Sequence, residues 1–306
     1  MDEIATLLAK AAAWRAAGHG LALATVVKAW GSAPRRPGAI LLVRDDGLFE
    51  GSVSGGCVEG AVIEAARARI AAGGGELLTF GVASETAWEV GLACGGEISI
   101  FVQAVDDSGF PPALLARIAA ARAAGAAISI GFDFAAGRAA EGGGGDWTLR
   151  IDPPLRLMLV GAVHISQALA PMAASLGHRV LIVDPRGAFA AGPRFAGFEV
   201  DGRWPDEALA DWKPDGASAV VTLTHDPKLD DVALAAALRS DAYYIAALGS
   251  RKTHAARLDR LGSAGFGAAD LARIHGPAGL DIGAANPAEI ALSVAAQMVA
   301  AWRRRG

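Results

Sequence analysis

The chain has 306 residues, of which 53% are hydrophobic and 20% charged, and a formal net charge of -4. That length suits two hydrophobic cores, the composition is too apolar for disorder, and the acidic balance excludes a general attraction to nucleic acid or an anionic membrane. No apolar run reaches membrane-spanning length, the N-terminus lacks a signal-peptide layout, and two cysteines cannot build a disulfide framework, which points to a reducing cytoplasm.

Residues 2–18 read as an amphipathic helix stopped by Gly18, followed by the β-rich run "LALATVVKAW", the turn "GSAPRRPG" and a second strand, "AILLVRDDG". "LFEGSVSGG" reads as a short strand running into a helix that begins near residue 56, with Val58, Val62, Ile63 and Ala66 as its apolar face and glycines 73–75 as its stop. "ELLTFGV" and "EISIFVQAV" are further strands with "ACGG" between them. "PPALLARIAAARAAG" is a helix and "AAISIGFDF" another strand. This is an α+β domain with a mixed or antiparallel sheet. "EGGGGDW" reads as a hairpin or a loop tip, and "IDPPLR" as a linker, so the domains are expected at 1–151 and 152–306.

Beyond the linker the pattern changes. "RLMLVGA", "RVLIVDPR", "ASAVVTLTHD" and "AYYIAALGS" alternate with "HISQALAPMAASLG", "PKLDDVALAAALRS" and "RKTHAARLDRLGSAG". Strand and helix at this spacing predict a Rossmann-like, doubly wound parallel sheet. The last helix has Asn286 as N-cap, Pro287 at its first position and Glu289 at its third.

Ligands of such sheets lie beyond the carboxyl ends of the strands. Gly161 stands at the first glycine of a G-x-G-x-x-G loop, Val163 replaces the second and Ser166 the third, so a side chain crowds the place where a pyrophosphate would meet the backbone. Asp184 ends the second strand where an acid can meet a ribose hydroxyl, and Arg186 can pair with a phosphate. His164, His225, Asp226, Gly249, Ser250, Arg251 and Lys252 collect at the same edge, the last two suited to a phosphate at a helix N-terminus, and "RIHGPAG" brings His275 to a further loop. Each histidine alone also fits a purely structural hydrogen-bonding role.

These stretches, together with "GSAPRRPGAILLV", "GSVSGGCVEG", "GLACGGEISI", "THDPKLDD", "ALGSRKTHAARLDRL" and "IHGPAGLDIGAANPAEIALS", resemble the XdhC/CoxI family, maturation factors for molybdenum hydroxylases such as xanthine dehydrogenase. The resemblance spans nearly the whole chain. It implies an accessory carrier rather than a turnover enzyme: a protein that binds the molybdenum cofactor (molybdopterin) and hands its sulfurated form to an apo-molybdenum hydroxylase. It also implies a cysteine desulfurase as partner and a homodimer. Family members commonly carry "GAGH" where this chain has "GAVH".

A thiol that handles molybdenum or sulfide must be accessible and partly ionised. Cys57 is expected in the first turn of a helix, where the dipole lowers a thiol pKa, and Gly55 and Gly56 leave room for a bulky ligand. Glu59 is near enough either to oppose that shift or to accept a proton. Cys94 has Gly95 and Gly96 beside it. Cys57 is thus the candidate contact for molybdenum or sulfur, with Cys94 second, and a small buried packing residue is the other reading of each. Arg35 and Arg36 are candidates for the cofactor phosphate or are simply solvated. Structural-zinc spacing and a G-x-S-x-G elbow are both missing. The competing function is an NAD(P)-dependent oxidoreductase built on Asp184 and the βαβ start. A third reading makes the second domain a nucleotide-responsive regulator or a docking surface.

Overall fold

Seven consecutive buried residues open β1 (Leu21–Trp30), and they face two cores alternately, as a strand with both faces covered must. Leu21, Leu23 and Val27 join the core under α1 (Glu3–Ala16), while Ala22, Ala24 and Val26 point to the other core. A computed structural model describes residues 2–31, 35–56, 58–81, 96–187 and 193–304. The chain divides into two units, Glu3–Pro153 and Pro154–Gly306.

In the first unit β1 pairs antiparallel with β2 (Ile40–Arg44) and with β5 (Glu97–Ala104), and the edges are β3 (Phe49–Gly51) and β4 (Gly75–Phe80). α2 (Glu59–Ala72) lays Val62 and Ala66 on one face of this sheet. α3 (Pro112–Ala123) adds Leu114 and Ile118 to the core on the other face. A three-stranded antiparallel sheet shares that second core, with β6 (Ile128–Asp133) between β7 (Arg138–Glu141) and β8 (Trp147–Ile151). "EGGGGDW" is therefore no hairpin tip, because the strands it joins lie on opposite sides of β6. β7 was not legible in the sequence, since "RAAE" carries no β-branched or aromatic residue. The expected strand from residue 48 to 56 ends at Gly51, and α2 begins at Glu59 rather than near 56.

The second unit holds a six-stranded all-parallel sheet in the order β11-β10-β9-β12-β13-β14. β9 (Arg156–Val160), β10 (Arg179–Val183), β12 (Ser218–Thr222) and β13 (Tyr244–Ala247) are short apolar runs, as strands buried on both faces require. β11 (Glu199–Asp201) and β14 (Ile274–His275) close the edges. Leu157 and Leu159 face a core shared with α4 (His164–Ser175) and α9 (Pro287–Arg303). Met158 and Val160 face the opposite core, under α5 (Pro205–Trp212), α6 (Pro227–Leu238) and α7 (Arg251–Ser263). A single turn, α8 (Ala268–Leu271), precedes β14. His275 lies in that strand rather than in a loop, its ring 4.9 Å from that of Tyr244. Among the described residues, no helix is long and apolar enough to cross a membrane.

Candidate functional site

In the second unit the topological switch falls between β9 and β12, the place where a doubly wound sheet opens a crevice. Two loops meet there. Gly161 has φ 115°, and a Cβ on it would stand 2.8 Å from Thr224 Cγ2, so the turn after β9 admits only glycine. Ser166, fully buried, donates its hydroxyl back to the Gly161 carbonyl.

Asp184 directly follows β10 and has no exposed surface. Its Oδ2 accepts the Ala162 N–H at 2.8 Å, and Arg186 supplies its backbone N–H at 3.0 Å and its guanidinium at 2.8 Å to both oxygens. Burial works to raise the Asp184 pKa, but the Arg186 and Ala162 hydrogen bonds outweigh it and hold the carboxyl below its usual range. The two oxygens expected to meet a ribose are thus engaged inside the protein. The Arg186 guanidinium also feels the carboxylates of Asp226 and Asp230 from across the switch point.

The remaining residues expected at this edge are placed by helix starts. Asp226 is the N-cap of α6 and accepts the Lys228 N–H at 2.9 Å. Ser250 caps α7 through the Thr253 N–H at 3.1 Å. Arg251 and Lys252 are the exposed first residues of α7, and His164 is the exposed first residue of α4, whose N-cap Val163 supplies no side-chain acceptor. His225 is exposed in the left-handed region at φ 62°, a conformation uncommon outside glycine.

Two residues at this edge escaped the sequence reading. Asp230 of α6 and Arg257 of α7 are 1% and 2% exposed, with Arg257 Nη2 3.8 Å from Asp230 Oδ2. Asp230 Oδ1 accepts the Thr224 hydroxyl at 2.7 Å and its N–H at 3.3 Å, and Arg257 Nη2 donates to the Leu248 carbonyl at 2.8 Å. Burial pushes the Asp230 carboxyl up and works against the charge on Arg257. The legible signal was a charge on an apolar stripe: Asp230 sits among Leu229, Ala233 and Leu234, and Arg257 four residues before Leu261.

In the first unit, the loop before α2 folds around one carboxylate. Glu59 accepts the Ser52 hydroxyl at 2.9 Å, the Ser54 hydroxyl, and the backbone N–H groups of Val53, Ser54, Gly55 and Gly56 at 2.8 to 3.2 Å. Burial opposes its ionisation, yet these donors bring its pKa down to about 2. A carboxylate so committed is a fixed anion rather than a proton acceptor. The late start of α2 follows from Gly55 and Gly56, whose positive φ lies outside the helical region. Gly55 and Gly56 have φ 85° and 121°, and a Cβ on Gly56 would meet no atom within 4 Å. Arg35 makes a two-pronged pair with Glu3 at 2.9 and 3.3 Å, and Arg36 is exposed. Cys57, Cys94 and Gly95 lie outside the described residues. A cavity of about 670 Å³ opens beside β6, lined by Asp133, Arg138, Glu141 and the glycines 142–145, and holds none of the expected site residues.

Residues 157–298 match the model of the XdhC Rossmann domain, and residues 14–81 match that of the XdhC and CoxI family. The molybdenum cofactor insertion chaperone PaoD of Escherichia coli is 29% identical over 97% of this chain and 88% of its own length. A protein of Bacillus subtilis described as a probable xanthine dehydrogenase subunit is 29% identical over 92% of this chain and 93% of its own. A crystal structure from Bacillus halodurans, described as a xanthine dehydrogenase, superposes with a TM-score of 0.79 over 100% of this chain and 97% of its own at 24% identity, a likeness of fold. This chain belongs to the XdhC and CoxI family.

Proposed function

We propose that this protein is an accessory factor that holds the molybdenum cofactor as cargo and passes it to a molybdenum hydroxylase of the xanthine dehydrogenase type. The observation that carries the reading is the likeness, over 97% of the chain, to a relative named as a molybdenum cofactor insertion chaperone. The cargo is a pterin bearing a dithiolene and a phosphate. In this reading its phosphate meets the start of α7, where Arg251 and Lys252 are exposed, and the open N-terminus of α4 at His164. In the first unit, handling of molybdenum or of the sulfur added to it falls to Cys57, which follows in sequence the residues 52–56 that Glu59 binds, with Cys94 as the second candidate. Sulfuration engages a cysteine desulfurase, and the carrier works as a homodimer in the cytoplasm.

Purification without oxygen from a host that makes the cofactor tests this directly. Molybdenum and pterin should copurify in stoichiometric amounts and fall sharply in Cys57→Ala. A wild-type protein free of both, or a Cys57→Ala variant with unchanged content, sinks the reading. A parallel titration with NADH and NADPH addresses the oxidoreductase alternative, which needs saturable binding that survives the loss of Cys57.

A further inference from the structure

A desolvated ion pair stabilises a fold only when its geometry is good and its remaining polar atoms are satisfied. The Asp230–Arg257 pair fails on both counts. At 3.8 Å its closest approach is longer than a hydrogen bond, and Asp230 Oδ2, Arg257 Nε and Arg257 Nη1 have no hydrogen-bond partner among the described residues. Buried polar atoms left in this state cost stability. The bonds that the pair does make all go to the ends of strands. Asp230 Oδ1 holds Thr224 after β12, and Arg257 Nη2 holds Leu248 after β13. Thr224 in turn packs against Gly161 after β9, and the Ala162 N–H is held by Asp184 after β10. One part-buried chain of contacts therefore links four loops of the carboxyl edge to one another.

We propose that Asp230 and Arg257 are positioning residues that set the spacing of the 224–226 and 248–250 loops, so that the exposed groups of His225, Arg251 and Lys252 act together on the anionic part of the cargo. The proposal rests on the carrier function above. The pair reaches the cargo only through the loops, since neither side chain has surface to offer a ligand.

The apolar double variant Asp230→Leu with Arg257→Met tests it, with three measurements on the folded fraction. The melting temperature should stay within a few degrees of wild type, because the pair contributes little net stability. Backbone amides of 223–226 and 248–250 should exchange with deuterium about tenfold faster. Molybdopterin per chain should drop about tenfold. Unchanged loop exchange overturns the proposal, and so does faster exchange with wild-type molybdopterin content, which marks a merely structural tie. Should the double variant not fold, Arg257→Lys keeps the charge but loses the planar fork, and wild-type exchange at 248–250 in that variant overturns the proposal equally. A wild-type protein without molybdopterin overturns the carrier reading instead, while loop exchange still decides whether the tie exists.

Discussion

Asp184 accepts the Ala162 N–H at 2.8 Å and thereby binds the end of β10 to the turn after β9. A dinucleotide enzyme keeps that acid available for a ribose hydroxyl, whereas here Arg186 takes the rest of its capacity. The substitution Asp184→Asn turns an acceptor-only group into one that must aim an NH2 at donors. With Asp184 fully buried and Arg186 one-third exposed, the expected loss is about 2–3 kcal/mol in urea unfolding. A loss below about 0.5 kcal/mol would mean that the network is not a structural one.

Gly161→Ala should be costly for two separable reasons. The backbone at φ 115° disfavours any side chain, and the new Cβ meets the Thr224 methyl at 2.8 Å. Together they should destabilise by about 2–4 kcal/mol. Adding Thr224→Ser removes the methyl and keeps the hydroxyl that Asp230 accepts, so it should recover part of the loss. Equal stability of the single and double variants in a denaturant titration would show that conformation alone is at fault.

Much of the second unit was legible because its signals are local. Four short apolar runs at βαβ spacing gave the parallel sheet, and Asn286 caps the last helix as its sequence predicts. The first unit was harder to read where long-range pairing overrides propensity, as in β7, and where glycines with positive φ hold the chain out of a helix, as at Gly55 and Gly56. The same limit applies to the site. Residues that follow strands could be collected from the sequence, but Asp230 and Arg257 lie inside helices, several residues beyond the strand ends. Only the tertiary structure reveals that their charges tie strand ends together.

Charge reversal at the start of α7 separates binding from folding. Arg251 and Lys252 are exposed, and an acid near a helix N-terminus is, if anything, favourable there. Arg251→Glu with Lys252→Glu should therefore leave the melting temperature unchanged or slightly raised. Pterin content of the purified protein should fall about tenfold, more steeply as ionic strength is lowered. Wild-type pterin content in this variant would remove the α7 start from the cargo site.

His178 supplies a pH signature independent of the cargo. It is 6% exposed, its Nε2 lies 3.0 Å from the Tyr243 hydroxyl, and burial lowers its pKa from 6.5 to about 4. In the unfolded chain the imidazole takes up a proton near pH 6.5, while the folded protein resists until about pH 4. The unfolded state thus binds more protons in that interval, and stability must fall as the pH falls through it. The contribution is fully present above pH 6.5, is lost progressively toward pH 4, and amounts to about 3 kcal/mol. Urea midpoints at half-unit pH steps should show this slope in wild type and a flatter one in His178→Gln, which cannot titrate. Parallel slopes in the two proteins would assign the acid sensitivity to other groups.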